Sequence, residues 1–335
     1  MTRVGLHFDQ SLPAVYGLAE RLSPKIERVL AGNPSPFTFR GTGVYLVGDD
    51  KHVAVIDPGP NQPEHLKALE TAIAGREVTH ILITHTHRDH SPAARPLKQA
   101  TGARTYGFGP HAFYSPSGLR IASIATAFGS PGREPHPAAS TDVRGGGGPG
   151  IAERAVEEGG DRDFVPDVTV RDGDVIAGPG FSFHCVFTPG HTSNHMCYAL
   201  AEEKALFTGD HVMGWSTTVV APPDGDMGAY MRSLEKLIAR QDRILYPTHG
   251  SPIRKPRPFL RAYLAHRRMR EAQIIRALAR GRNKVPELVA ALYAGLPPAL
   301  ERAAALTVEA HLKHMAEDGR IKALPDGGYE ASAVR

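Results

Sequence analysis

The sequence predicts an α/β fold over roughly the first three quarters of the chain, followed by a small helical domain. Up to residue 253, short apolar runs typical of buried strands alternate with segments of helical periodicity. Beyond that point, three helical segments follow one another and the charge changes. Residues 254–335 contain sixteen Lys and Arg against eight Asp and Glu, so they carry +8 although the whole chain carries +4. The sequence therefore predicts two domains, 1–253 and 254–335, the second of them basic.

The first strands and helix form a predicted β-α-β unit. Two apolar runs, 43–48 and 52–56, predict strands joined by a hairpin turn. Apolar residues at helical spacing predict a helix over 63–74. The apolar run 78–83 then predicts a buried strand that ends at the rim of a sheet.

Directly after this run comes Thr84-His85-Thr86-His87-Arg88-Asp89-His90, a single turn with three imidazoles and a carboxylate. His85 and His87 are two residues apart and can point to the same side, while Asp89 and His90 can reach a second point nearby. These groups would remain unsatisfied in a core, so the turn indicates a bound cation. Nitrogen and carboxylate ligands without cysteine favour zinc, with manganese or iron as alternatives. A helix over 91–99 and a strand over 104–106 are predicted next.

Three further predicted strand ends carry His or Asp. An alternating strand over 181–187 leads into Thr188-Pro189-Gly190-His191-Thr192, where Pro and Gly favour a sharp turn that presents His191. Asp210 and His249 each follow a short apolar run and stand next to glycine. The elements predicted around them are strands 206–209 and 243–246 and a helix over 234–238.

The pattern His85-x-His87-x-Asp89-His90, with His191 in its Thr-Pro-Gly-His-Thr turn downstream, closely resembles the metallo-β-lactamase superfamily. The resemblance implies an αββα sandwich and a centre for two metal ions, with Zn²⁺ first and Mn²⁺ or Fe²⁺ as alternatives. It also implies that Asp57 supports the metal turn without binding metal itself. By this resemblance the first metal is held by His85, His87 and His191 and the second by Asp89, His90 and His249, with Asp210 between them.

The resemblance also implies the chemistry. Two metals roughly 3.5–4 Å apart would lower the pKa of a shared water and polarise a carbonyl or phosphoryl oxygen, and the resulting hydroxide would attack. Asp89 would hold that water and pass a proton to the leaving group as the catalytic acid-base residue. The expected substrate-lining residues are His195 and His211, which each follow a ligand turn, and Thr217 and Thr218, which fit the same subgroup.

Between 127 and 163 the sequence is rich in Gly and Pro and offers little to bury, which predicts a mobile insertion. One short helical turn is expected at 151–158. A lid over the site is one interpretation, but a passive linker is the simpler one, and His136 within the segment is expected to be a solvated side chain.

The C-terminal segment reads as three helices, 259–280, 285–293 and 299–317, followed by a short hairpin over 318–329. Three helices and a hairpin are the outline of a winged helix. This order resembles the tail of a β-lactamase-like subgroup that includes endoribonucleases acting on single-stranded RNA. Winged helices bind nucleic acid in some proteins and only pack or shape substrate sites in others, so both roles remain open.

The substrate class remains open between a phosphodiester in single-stranded RNA and a small ester or thioester, the latter as in glyoxalase II or acyl thioesterases. A function of another class, a non-catalytic nucleic-acid-binding module with structural metal, is disfavoured because structural zinc sites are usually closed and mononuclear. No Ser or Cys stands in a nucleophile elbow. The sequence does not determine the oligomeric state.

Composition excludes several other classes. No apolar stretch approaches the roughly 20 residues needed to span a bilayer, and the first ten residues lack a signal-peptide pattern, so a cytoplasmic protein without a membrane partner is expected. The only two cysteines, Cys185 and Cys197, are too few for a disulfide framework or a zinc-thiolate site.

Overall fold

A computed structural model of the chain describes residues 6–110 and 159–332. Two β-sheets formed by these residues pack face to face. Strands β1 to β7 form the first sheet in chain order, and the second has the order β12-β11-β10-β9-β8. The strands of the first sheet are β1 Ala19–Arg21, β2 Ile26–Leu30, β3 Gly43–Gly48, β4 His52–Ile56, β5 Glu77–Leu82, β6 Arg104–Gly107 and β7 Val168–Thr169. Those of the second sheet are β8 Val175–Gly178, β9 Phe181–Phe187, β10 Met196–Leu200, β11 Ala205–Gly209 and β12 Ile244–Pro247.

The space between the sheets is filled by aromatic and aliphatic side chains that alternate along the strands. Tyr45 of the first sheet meets Phe207 of the second with ring centroids 5.0 Å apart, and Tyr246 packs beside both. All three are almost fully buried. Each such side chain contributes about 1.5–3 kcal/mol through the hydrophobic effect, so this layer holds the two sheets in one register.

Helices cover the outer face of each sheet. Helices α1 (Pro63–Ile73) and α2 (Ala94–Thr101) pack on the first sheet. Helices α3 (Met227–Ala239) and α4 (Pro256–Leu278) pack on the second. The α/β class and its αββα layering are therefore confirmed.

The C-terminal part has the predicted three helices and hairpin, and the winged-helix expectation is confirmed. Helix α4 enters two cores, because Tyr263 in its first half packs with the second sheet while Ile274 in its second half packs with the C-terminal helices. The domain boundary between residues 253 and 254 stays a prediction. The remaining elements are α5 Val285–Leu292, α6 Pro298–Glu317, β13 Ile321–Ala323 and β14 Tyr329–Ala331.

Some local expectations differ from the structure. Several strands, among them β1, β2, β8 and β10, have no counterpart among the strands that the sequence predicts. Helix α2 begins at Ala94 rather than at residue 91, because the Ser91 N–H and the Ala94 N–H donate to the carbonyls of His87 and Ser91 in turns that precede the helix. None of the helices in the described ranges combines the length and apolar character needed to cross a membrane.

The predicted insertion over 127–163 lies mostly outside the described residues, as do the helical turn expected at 151–158 and His136. Its last residues, from 159, are described and pack against the histidine-rich turn. The Arg88 N–H donates to the Gly159 carbonyl (3.1 Å), and the Asp161 N–H donates to the Thr86 carbonyl (2.6 Å). The chain therefore returns to the core directly beside the motif.

Candidate metal centre

Backbone hydrogen bonds bring the predicted strand ends together at one rim of the sandwich. The Met196 N–H donates to the Thr84 carbonyl (2.8 Å), which joins the two sheets next to the histidine-rich turn. The Thr248 N–H donates to the Gly209 carbonyl (3.2 Å). Gly209 has a φ of 49°, and a Cβ there would lie 2.7 Å from Thr84 Oγ1 and 2.8 Å from Thr84 Cβ, just after β5 of the first sheet. Only glycine allows this close approach of the second sheet to the first.

Three imidazoles from two sheets form the first cluster. His85 Nε2 lies 2.9 Å from His87 Nδ1, and His191 Nε2 lies 3.2 Å from the same atom. All three ligand atoms lie within 4.8 Å of one another. These are the residues that the sequence assigned to the first metal, and the fold brings them together.

A second cluster lies beside the first. Asp89 Oδ2 is 3.0 Å from His249 Nε2 and 3.3 Å from His90 Nε2. Asp210 stands between the clusters: its Oδ1 is 3.5 Å from His90 Nε2, and its Oδ2 is 3.9 Å from His191 Nε2. All seven predicted ligand residues therefore converge on one place.

Asp57 lies behind the second cluster and fixes its orientation. It is buried and has a left-handed φ of 48°. Its carboxylate accepts hydrogen bonds from Thr84 N (2.8 Å), Thr84 Oγ1 (2.6 Å) and His90 Nδ1 (2.8 Å). Because Nδ1 of His90 donates to Asp57, Nε2 is the atom directed at Asp89 and Asp210. Asp57 thus occupies the supporting place that the sequence analysis expected.

The pKa values divide the histidines into two groups. Burial holds the pKa of His85 well below its usual value and also lowers that of His191, so both imidazoles are neutral donors of a lone pair. Burial also acts to lower the pKa of His249, but Asp210 and Asp89 outweigh it and raise this pKa to about 10. The same balance, with Asp89 and Asp210 prevailing, raises the pKa of His90. The carboxylate side of the centre thus attracts positive charge.

The residues present fit divalent metal ions. Among the described residues, His90 Nε2 and Asp210 Oδ1 are buried without a hydrogen-bond partner, although they face each other and His249. Buried polar atoms of this kind normally have partners, so an electrophile is expected between them. Five imidazoles and two carboxylates, without cysteine, are a hard-to-borderline donor set of the kind that Zn²⁺, Mn²⁺ or Fe²⁺ accept.

A cavity of about 120 Å³ opens over this centre. One side is formed by five of the candidate ligands, and the other walls are mainly apolar. Leu300, near the start of α6, places the winged-helix domain on the cavity wall. No Lys or Arg is among the described residues that line the cavity. The apolar wall residues, which the sequence analysis missed, are Pro36, Phe37, Met213, Trp215, Val219 and Leu300.

The expected substrate-lining residues lie in two different places. Thr217 lines the cavity. Thr218 is 1% exposed, and His195 and His211 are fully buried, so these three lie behind the cavity and not on its wall. For His195 and Thr218 the cause is hydrogen bonding: His195 Nε2 accepts from the N–H groups of Asp210 and His211 (both 3.2 Å), and Thr218 Oγ1 donates to the Asp210 carbonyl (2.7 Å). The ring of His211 packs against that of Tyr230, with centroids 4.6 Å apart.

Comparison with known proteins agrees with this fold. Residues 38–249 match the family model of the metallo-beta-lactamase superfamily, and residues 285–328 match the beta-lactamase associated winged helix domain. The chain belongs to the metallo-beta-lactamase superfamily and is a hydrolase of that superfamily. Divalent metal ions are implied by this membership.

Individual relatives extend over most of the chain. A lactamase-like protein, adaB, of Aspergillus niger is 29% identical over 90% of this chain and 83% of its own length. The atrochrysone carboxyl ACP thioesterase of Claviceps purpurea is 28% identical with the same coverage. Among solved structures, a metallo-beta-lactamase family protein of Thermus thermophilus superposes with a TM-score of 0.72 at 24% identity, covering 93% of this chain and 100% of its own. This last similarity concerns the fold alone.

We expect the variant Asp57→Asn to weaken metal binding by about 10- to 100-fold, the effect typical of losing an outer carboxylate partner. The amide cannot accept from both Thr84 and His90 as the carboxylate does, so the His90 ring loses its fixed orientation. Titration of the apoprotein with Zn²⁺ measures the change. The exposed Asp50, in the β3–β4 turn, provides the control, and wild-type affinity in Asp57→Asn would contradict the supporting role.

Proposed function

We propose that this protein is a two-metal hydrolase whose substrate is an acyl thioester or ester. The observation that carries the proposal is the cavity, in which apolar and aromatic walls stand opposite the candidate metal ligands. Such a cavity suits an apolar acyl group with its carbonyl at the metal centre. A phosphodiester chain calls for cationic side chains along its path, and the described lining residues include none.

We assign one metal site to His85, His87 and His191 and the other to Asp89, His90 and His249, with Asp210 shared between them. Zn²⁺ is the first choice, with Mn²⁺ or Fe²⁺ as alternatives. When bound, the two metals would supply an activated water and a Lewis acid for the substrate carbonyl. The site faces a cavity and would hold two ions, whereas a purely structural zinc site is usually closed and mononuclear, which supports catalysis over a structural role.

The residues of the chain would bind the acyl group and move the proton. Phe37, Trp215 and Leu300 would exclude water from the acyl group, which strengthens electrostatic interactions at the carbonyl. Asp89 also lines the cavity. Although burial acts to raise its pKa, His90 and His249 hold that pKa well below the usual value, so the carboxylate is ionised. It could accept a proton from the attacking water and return it to the thiolate leaving group.

The relatives support this substrate class over the alternatives. Three of the similar curated proteins are named as atrochrysone carboxyl ACP thioesterases, and they match over most of this chain. The basic winged-helix domain is compatible with nucleic-acid binding. The position of Leu300 on the cavity wall favours a role in shaping the substrate site.

The deciding experiment compares an acyl thioester and a fluorescent single-stranded RNA with the same zinc-loaded protein. We expect thioester hydrolysis that is lost in His87→Ala, with the RNA left intact. Leu300→Trp should lower kcat/KM for a bulky aromatic acyl thioester by about tenfold and leave that for an acetyl thioester nearly unchanged. RNA cleavage without thioester hydrolysis would overturn the proposed substrate class, and inactivity on both would overturn the assignment as a whole.

A further inference from the structure

The loop of residues 216–220 touches two of the candidate metal ligands without being a ligand itself. Thr218 Oγ1 donates to the Asp210 carbonyl (2.7 Å), and His191 Nδ1 donates to the Val219 carbonyl (2.7 Å). A carbonyl can only accept, so Nδ1 of His191 carries the proton. Its Nε2 therefore keeps the lone pair that faces His87. The tautomer of His191 and the turn at Asp210 both depend on where this loop lies.

The loop is held in place from helix α4. The Tyr263 hydroxyl accepts from the Thr218 N–H (2.6 Å) and donates to the Ser216 carbonyl (3.0 Å). One turn further along the same helix, Arg267 Nη2 donates to the Thr218 carbonyl. Both backbone polar groups of Thr218 are therefore bound by side chains of α4.

Arg267 is an unusual residue for the place it occupies. It is 1% exposed, and its guanidinium carbon lies 4.9 Å from the Tyr230 ring centroid and 5.8 Å from that of Tyr263. No ion pair among the described residues includes Arg267, and its Nε lacks a hydrogen-bond partner there. A buried guanidinium without a carboxylate is costly, and within the described part of the chain two aromatic faces and one carbonyl offset that cost. If this position required only packing, Met or Leu would fill it without the cost of burying a charge.

We propose that Tyr263 and Arg267 are positioning residues of the metal centre, acting through the 216–220 loop on His191 and Asp210. The inference rests on the proposed metal site but not on the proposed substrate. Helix α4 would thus set the geometry of His191 and Asp210, two candidate ligands that lie on other elements. Neither residue lines the cavity, so neither touches the substrate.

The test is a Co²⁺ titration of the full-length apoprotein, followed by absorption spectroscopy. Tyr263→Phe removes one oxygen and keeps the ring, and Arg267→Met keeps the length of the side chain without its charge. We expect both variants to bind Co²⁺ about 10- to 100-fold more weakly, as for other losses of outer support. We also expect a changed visible spectrum for the Co²⁺ at the His191 site, which a loss of stability alone would not produce.

Two variants serve as matched controls. Arg268→Met removes the adjacent arginine, whose side chain is 60% exposed and pairs with Glu235. Tyr293→Phe removes a tyrosine hydroxyl in the C-terminal core, away from the loop. Both should bind Co²⁺ as the wild type does.

Three outcomes would overturn the inference. The first is wild-type affinity and spectrum in Tyr263→Phe and Arg267→Met, and the second is an equal loss in the controls. The third is a wild-type protein that binds no Co²⁺, which would refute the metal site itself and so differs from the first two. If Arg267→Met fails to fold, Tyr263→Phe alone decides the result.

Discussion

Asp210→Asn should lower kcat/KM for a thioester by about 10³-fold, because it removes the charge that both halves of the metal centre share. Metal ions that polarise the reacting carbonyl supply several kcal/mol of transition-state stabilisation. Each 1.36 kcal/mol corresponds to a factor of ten in rate, so losing about 4 kcal/mol of that stabilisation gives the expected factor. His249 Nε2 lies 3.4 Å from Asp210 Oδ1, and His90 Nε2 lies 3.5 Å from the same atom. Asparagine keeps the size of the side chain but offers only a neutral oxygen to His249 and His90. Steady-state kinetics and metal analysis of the purified variant measure the effect.

The metal content of Asp210→Asn should fall below two ions per chain, since the proposed centre uses this carboxylate at both metal sites. Asp50→Asn, at an exposed position of the β3–β4 turn, is the control and should retain full activity and metal. Two firmly bound ions together with unchanged kcat/KM in Asp210→Asn would exclude a role for this carboxylate between the metals.

The largest effect on stability is expected for Gly190→Ala, in the turn that presents His191. Gly190 has a φ of 138°, and an added Cβ would lie 2.3 Å from Tyr230 Cα and 2.4 Å from Tyr230 N. These are backbone atoms of α3 and cannot rotate away. Backbone strain and overpacking each cost about 1–3 kcal/mol, so we expect a loss of about 2–6 kcal/mol in the free energy of unfolding. Urea denaturation of the two proteins gives the difference directly.

Gly173→Ala separates the two contributions. Gly173 also has a positive φ, 86°, but a Cβ there would meet no atom within 4 Å. It should therefore show the strain without the collision, a loss of about 1–3 kcal/mol. If the two variants lose the same stability, the close approach of the His191 turn to α3 is not what makes glycine necessary at position 190.

The sequence predicts that the candidate ligands meet at one rim because each lies in a turn that follows a strand. Their division between two metal sites rests on the resemblance and stays a prediction. His85, His191 and His249 are far apart in the chain, but each follows the end of an apolar run, and Gly and Pro mark the turns at His191 and His249. Strand ends of a two-layered sheet meet at a common rim, so the local pattern also carries the three-dimensional arrangement. The supporting role of Asp57 is implied by the resemblance, and this residue too directly follows a strand, β4.

The cavity wall and the support of the loop could not be predicted in this way. Leu300 reaches the cavity, and Arg267 reaches Thr218, only through the packing of helices that follow the ligand motifs in the chain. A leucine and an arginine at helical positions carry no local signal of such a role. His195 shows the reverse error: it follows a ligand turn in the sequence, but its hydrogen bonds hold it away from the cavity. Thr218, expected at the substrate site from the resemblance, is held away by its bond to the Asp210 carbonyl.

Helix α4 gives the chain an evolutionary constraint that its two-domain sequence pattern conceals. An exchange of the C-terminal unit by recombination at residue 253 would strip Leu260, Tyr263 and Leu264 from the outer face of the second sheet. The remaining enzyme would present a bare apolar surface and a loosened loop beside His191. We therefore expect relatives that have acquired a different C-terminal unit to have kept this helix. In such relatives the new unit should begin after the position of residue 278, where the helix ends.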